Sequence, residues 1–272
     1  MSTDYEAANY CVSWMDLLGT RERYKGQGLI PKTLEEQVAL KKVVEDTVGR
    51  IDQLQNRAAG LLANTATEHV PSIQSMAFGD SILHYASLRD GDTPAYSIFQ
   101  MLLQSGLLCI LGLAEGLPLR GAMDVAWAVE VRPGQLCGAA PVKAYEYESR
   151  ISQYPRIVVS SRVIGYIQAH IRPPNSKPVN PVQAELAQKC QELIGGDSDG
   201  YRFVDYLNPA FRSGLSQQDA DKLYQPALNY VQAQLVKYQA DDNPKMAGRY
   251  WKLLQYFEHH RENWVKERES DS

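Results

Sequence analysis

Two aspartates stand out because each interrupts a run of residues that otherwise reads as apolar strand. Asp16 closes Tyr10-Cys-Val-Ser-Trp-Met-Asp16 and is followed by Leu17, Leu18 and Gly19. Asp80 lies in Ser72-Ile-Gln-Ser-Met-Ala-Phe-Gly-Asp80-Ser-Ile-Leu-His-Tyr85, a hairpin pattern with Gly79-Asp80 at its tip. An ionised carboxylate in such a run is costly unless something pairs with it. Two of them at neighbouring strand ends repel each other unless a divalent cation lies between. The chemistry this spacing supports is metal-dependent work on phosphates. Ordinary turn or strand-end aspartates are the plainer alternative. The amides after Asp16, on Leu17, Leu18 and Gly19, and the start of a helix at Thr33, could face phosphate. Gly79 permits close approach at the hairpin tip.

The elements that must place these residues are read from periodicity. A polar loop from Thr20 to Lys32 carries Arg21, Arg23 and Lys25. Thr33-Leu-Glu-Glu36 has the form of a capping box, and Leu34, Val38, Val44, Val48, Ile51, Leu54 and Leu61 predict a long amphipathic helix. The hairpin follows, then an uncharged stretch from Tyr96 to Ala114 that opens after Thr93-Pro94. Its length approaches that of a membrane span, but Ser97, Gln100, Gln104 and Ser105 interrupt it, so a buried helix over a sheet is expected. Residues 118–131 alternate as a strand, Arg132-Pro-Gly134 turns, 138–150 form a helix, and Pro155–Val159 form another strand. The order β-α-β-β-α-β-α-β predicts an α+β fold, an antiparallel or mixed sheet covered by helices. After Arg172-Pro-Pro174, with Pro178 and Pro181, the pattern turns helical over about 181–194, 216–240 and 244–268. Tyr201–Leu207 is extended between these helices. The division expected is 1–170 for the catalytic domain and 171–272 for a mostly helical extension.

Bulk properties narrow the function. At 272 residues, with 44% hydrophobic and 22% charged positions, a substantial core is expected. A formal charge of -4 argues against binding a nucleic-acid polymer electrostatically. Cys11, Cys109, Cys137 and Cys190 form no C-x-x-C pair, and three sit among apolar residues as in a reduced compartment. The polar N-terminus MSTDYEAAN is unlike a signal peptide, so a cytoplasmic protein away from the membrane is expected. His259 and His260 are adjacent on a charged helix and are read as surface residues. No P-loop, G-x-G-x-x-G or Ser-His-Asp pattern occurs.

These residues resemble a family. Trp14-Met-Asp16-Leu-Leu-Gly19 and Phe78-Gly-Asp80-Ser81 are similar to the two metal motifs of class III nucleotidyl cyclases. Leu119-Arg-Gly-Ala-Met123 lies where their central strand lies, and Leu136-Cys-Gly138 precedes a helix like their glycine turn. The order holds over about residues 8–167. Gly138-Ala-Ala-Pro-Val-Lys-Ala-Tyr-Glu-Tyr-Glu148 with Tyr154-Pro-Arg-Ile-Val-Val159 resembles the pyrimidine cyclases of bacterial Pycsar anti-phage defence. The resemblance implies conversion of UTP or CTP to a 3′,5′-cyclic monophosphate that a separate effector reads. It implies two Mg2+ or Mn2+ ions per site on Asp16, the Leu17 carbonyl and Asp80, and a homodimer.

The sequence departs from the family at four positions. Met76 and Gln135 stand where purine cyclases carry charged base-reading residues, which fits a pyrimidine. Val142 and Glu146 stand where an Asn and an Arg usually orient ribose and stabilise the transition state. Arg120, Lys143 or Arg150 is left to supply positive charge. Two rival readings remain open at this level. One is a degenerate cyclase-like domain that binds nucleotide or a partner without turnover. The other is a helical interaction scaffold built on residues 181–268.

Overall fold

A computed structural model describes residues 5–20, 30–63, 73–89, 94–172 and 180–265. Arg21, Arg23, Lys25, Ser72, Thr93, Pro174, Pro178 and the tail beyond 265 lie outside the described residues. The chain opens with strand β1 (Ala8–Leu17) and helix α1 (Leu34–Ala63). The hairpin β2 (Gln74–Phe78) and β3 (Ser81–Ser87) turns at Gly79-Asp80, as expected. Gly79 has φ +64, a conformation that suits glycine at a tight hairpin tip. Helix α2 (Pro94–Ala114), strand β4 (Leu119–Arg132), a short strand β5 (Gln135–Gly138), helix α3 (Ala139–Ile151) and strand β6 (Ile157–Val159) follow. The short β5 was not anticipated.

β1 is central, antiparallel to β3 on one side and to β4 on the other. β2 forms one edge, while β5 folds back antiparallel on the far end of β4 and β6 runs parallel to its beginning. The sheet is therefore mixed and the fold α+β, as the sequence pattern implied. Alternation along β1 splits its side chains between two faces. Cys11, Met15 and Leu17 enter the large core with α1 and α2, whereas Tyr10, Val12 and Trp14 face a smaller cluster under α3.

Helix α2 is long and apolar enough to cross a membrane, yet 78% of its most apolar window is buried inside the fold. It packs against α1, the sheet and the C-terminal helices. Leu102, Leu108, Ile110, Leu111 and Leu113 are fully buried, each contributing roughly 1.5–3 kcal/mol as an upper value. That burial accounts for the composition without a bilayer.

Helix α1 departs from its expected register. Thr33 and Glu36 make the reciprocal cap, with Glu36 N–H donating to Thr33 Oγ1 (3.2 Å) and Thr33 N–H to Glu36 Oε2 (3.3 Å). Ile51 and Leu54 are buried as expected, but Leu34, Val38, Val44 and Val48 are exposed, Leu34 at 75%. The inward line runs back from Ile51 through Thr47, which is buried and bonds the Val43 carbonyl (2.8 Å). Val43 and Val44 offered two apolar registers, and steps of four from the packed Ile51 select Val43.

From 181 on, helix α5 (Pro181–Glu192) follows α4 (Ser161–Ile171), and an unanticipated strand β7 (Ile194–Gly196) forms a hairpin with β8 (Arg202–Val204), which falls in the stretch Tyr201–Leu207 expected to be extended. β8 pairs with β6, so the main sheet continues through β8 to β7. Short α6 (Pro209–Ser213) leads to α7 (Gln217–Ala240), α8 (Pro244–His259) and α9 (Arg261–Trp264). Tyr250, Leu253 and Phe257 of α8 are buried in the same core as α2. His260 is not a surface residue as expected: it is buried edge-on to Tyr256, with Nε2 3.4 Å from Asp205. Cys11, Cys109 and Cys190 are buried free thiols, and Cys137 is exposed.

Candidate active site

The alternation that turns Trp14 toward α3 turns Asp16 to the same face at the end of β1. Its cross-strand neighbours are Ser81 on β3 and Arg120 on β4. Ser81 Oγ donates to Asp16 Oδ1 (3.1 Å), and Arg120 Nη2 lies 3.6 Å from Oδ2. Two polar neighbours thus support a carboxylate where the pattern wants an apolar residue. Asp80 comes to the same edge because Leu17 N–H donates to its carbonyl (3.2 Å). Thr20 Oγ1 donates to Asp80 Oδ2 (2.5 Å). The Leu18 amide donates to the Pro118 carbonyl (2.8 Å), so the amides of Leu17 and Leu18 are both engaged within the chain.

The electrostatics bear on what the pair can hold. Burial raises the Asp16 pKa above the usual carboxylate range, and the Asp80 charge raises it further. The Ser81 hydroxyl and Arg120 oppose that shift. Two neighbouring carboxylates, with Asp16 costly to ionise, form a hard-oxygen donor set suited to Mg2+ or Mn2+. The Leu17 carbonyl is beside them and, among the described residues, accepts only a long contact from Thr20 Oγ1 (3.4 Å). Among the described residues no three His, Cys, Asp or Glu side chains gather as a metal site. A cation here would draw its remaining ligands from backbone, water and substrate phosphate.

A third acid, absent from the sequence reading of the site, lies behind the pair. Glu148 of α3 is only 2% exposed, and its Oε1 is 2.7 Å from Arg120 Nε. Its pKa is pushed up to about 7, chiefly by burial, with Arg120 opposing and the charges of Asp16 and Asp80 adding to the rise. The signal was available: Ala140, Ala144 and Glu148 step by four along the face of α3 that meets the sheet, which puts an acid on an apolar stripe. Thr20 carried no such signal, because it belongs to no periodic element.

The raised Glu148 pKa gives a sign for pH dependence. The folded protein keeps a proton that the unfolded chain loses near pH 4.3, so metal-free stability should fall as pH rises from about 4.3 to about 7. Glu148→Gln should flatten that slope in urea titrations at stepped pH. An unchanged slope would show that Glu148 titrates normally.

The other expected site residues are distributed unevenly. Met76 pairs with Leu83, which pairs with Trp14, so it lies two strands over from Trp14 on the sheet face that carries Asp16, and it is half-buried. Gln135 is exposed and pairs with Arg132, and Gly138 pairs with Ala128. At ~3.3 Å per residue along β4, these lie roughly 40 and 26 Å from the level of Arg120. Gly138 has φ +145, and a Cβ there would meet the Ala128 backbone at 2.6 Å, so only glycine makes this turn into α3. Lys143 sits off the inward face and pairs with Glu146 (2.8 Å), while Arg150 is exposed. The buried Asp124, further along the α3 face of β4, is balanced by Arg162 Nε (2.9 Å) and the Ser160 hydroxyl (2.7 Å).

Comparison with known proteins adds the following. No protein-family model and no curated protein matches the sequence. Three solved structures with similar chain traces are a guanylyl cyclase domain, an adenylyl cyclase and the catalytic core of a rhodopsin-guanylyl cyclase. The monomeric guanylyl cyclase domain of the RhoGC fusion protein from the aquatic fungus Blastocladiella emersonii is 11% identical, with a TM-score of 0.43. That match covers 74% of this chain and 98% of that one. The adenylyl cyclase CyaB from P. aeruginosa is 14% identical over 61% of this chain and 83% of its own, with a TM-score of 0.39. The catalytic core of a rhodopsin-guanylyl cyclase with converted specificity, in complex with ATPαS, is 13% identical, with a TM-score of 0.41. Here 74% of this chain and 98% of that one are covered.

Proposed function

We propose that the chain is a nucleotidyl cyclase closing a nucleoside triphosphate to its 3′,5′-cyclic monophosphate with release of diphosphate. The observation that carries this is the convergence of Asp16, Asp80 and the Leu17 carbonyl at one sheet edge, with Arg120 beside them. In the reaction the ribose 3′ hydroxyl gives up its proton to water, its oxygen bonds to the α-phosphorus, and the bond to the bridging diphosphate oxygen breaks. Mg2+ or Mn2+, when bound, would supply Lewis acidity toward the 3′ hydroxyl and screening of the triphosphate charge. Asp16 and Asp80 would hold such a cation at the strand ends. Arg120 offers positive charge to the phosphates.

The substrate proposed is UTP or CTP. Met76 and Gln135 are neutral where the resembled purine cyclases read their base with charge, and Met76 shares a sheet face with Asp16. The product would serve in the cytoplasm as a second messenger in antiviral defence, read by a separate effector. A homodimer is proposed with it. Gln135 and Gly138 lie too far along β4 to share a pocket with Asp16 of the same chain, so a partner copy would supply them. Exposed Phe78, Trp127, Val142 and Tyr145 are surfaces such a copy could cover. Light scattering should give twice the chain mass; a strict monomer with full activity refutes this arrangement.

The test of the activity is incubation with each of the four nucleoside triphosphates and Mn2+, read by mass spectrometry. Cyclic UMP or cyclic CMP is expected, and none from Asp80→Ala. The second reading, nucleotide binding without turnover, is motivated by Lys143 being paired with Glu146 near the positions that usually carry the Asn and Arg. It predicts nucleotide binding with no cyclic product of any base.

A further inference from the structure

Arg120 stands between two carboxylates in unlike settings. Its Nη2 faces Asp16 at 3.6 Å on the half-open edge, and its Nε lies 2.7 Å from Glu148 Oε1 beneath α3. Nε and Oε1 are both fully buried, and they meet off the hydrogen-bond axis, so neither has an aligned partner among the described residues. Arg120 Nη1 donates to the Ser152 carbonyl at 3.4 Å, and the Ser152 hydroxyl donates to the Arg156 carbonyl at 2.8 Å. The guanidinium is thus drawn inward by Glu148 and Ser152 and outward by Asp16.

A buried carboxylate here needs a reason, because a neutral side chain would continue the Ala140–Ala144 stripe at lower cost. Without the inner charge, a guanidinium beside an aspartate tends to close into a bidentate pair. Such a pair would occupy the Asp16 oxygens. We propose that Glu148 is a positioning residue: it holds Arg120 back from Asp16, leaving that carboxylate free for a divalent cation and the guanidinium edge free for phosphate. This rests on the cyclase reading above, and it assigns Glu148 a role in cation affinity that does not depend on turnover.

The experiment is Mn2+ titration of the full chain by electron paramagnetic resonance, with urea unfolding of each variant. Glu148→Gln should weaken Mn2+ binding about tenfold, the lower end for a residue that orients a metal ligand, without loss of stability. The double variant Glu148→Gln with Arg120→Ala should regain most of that affinity, because the occluding guanidinium is gone. Unchanged Mn2+ affinity in Glu148→Gln, or a double variant as weak as the single one, overturns the proposal. Absence of Mn2+ binding in the parent chain also overturns the proposal, while the cyclase reading is decided separately by the product assay, because substrate phosphate completes the cation's ligands. Normal parent binding beside an unaffected Glu148→Gln removes only the role of Glu148.

Discussion

Asp16→Asn should lower cyclic nucleotide formation by about two to three orders of magnitude while leaving the metal-free fold as stable as before, or more so. The two halves of this result come from one observation. The Asp16 carboxylate is ionised at a cost, raised by burial and by Asp80. Asparagine keeps the shape and can still accept from Ser81, but carries no charge to repel Asp80. Removing that repulsion favours the folded chain at neutral pH, whereas removing the charge deprives a cation of its ligand. A residue kept for folding would show the reverse, with activity and stability falling together. Asp80→Asn should behave similarly, with less gain because its Oδ2 already accepts from Thr20. If Asp16→Asn turns over nucleotide at the parent rate, the catalytic reading fails.

Arg156→Ala should cost about 3 kcal/mol of unfolding free energy, the lower end for breaking a buried ion pair. Arg156 is 1% exposed and is one of the largest side chains sealed inside the fold. Its Nη1 pairs with Asp197, its Nη2 bonds Asp199 Oδ2 (2.6 Å) and the Ile151 carbonyl (3.2 Å), and it lies 4.6 Å from the Tyr154 ring centre. Truncation strands these acids, although Asp199 is partly open to water, which moderates the loss. The Asp199 pKa is lowered even though burial acts to raise it, because bonds from Arg156 and the Tyr201 amide outweigh that effect. Its contribution is therefore present above the ordinary aspartate pKa and lost as pH falls below it. A shift in the urea midpoint with unchanged slope would register the effect. A loss under 1 kcal/mol would mean that water replaces the guanidinium freely.

What could be read from the sequence was what local signals encode. The Gly79-Asp80 hairpin, the Thr33–Glu36 cap and the alternating β4 each carry their information within a few residues. The aspartate pair was legible because a charge in an apolar run is anomalous wherever the strands lie. β7 was not, since Ile194-Gly195-Gly196 has no strand character of its own and acquires it by pairing with β8. Glu148 was missed because its meaning depends on Arg120, 28 positions earlier, and on which face of α3 meets the sheet. The register of α1 failed where Val43 and Val44 were locally equivalent and only packing at Ile51 distinguished them.

That helix has a mechanical consequence. Thirty residues long, α1 reaches about 45 Å, but its buried apolar side chains are confined to the half from Ile51 onward. It is a beam clamped at one end. Its first half is held by its own ladder and by the Thr33–Glu36 cap, with little sunk into the core, so it can fray without disturbing the sheet. Amide protons between Val38 and Asp46 should then exchange through small local openings, while those near Leu54 wait for the whole domain to unfold.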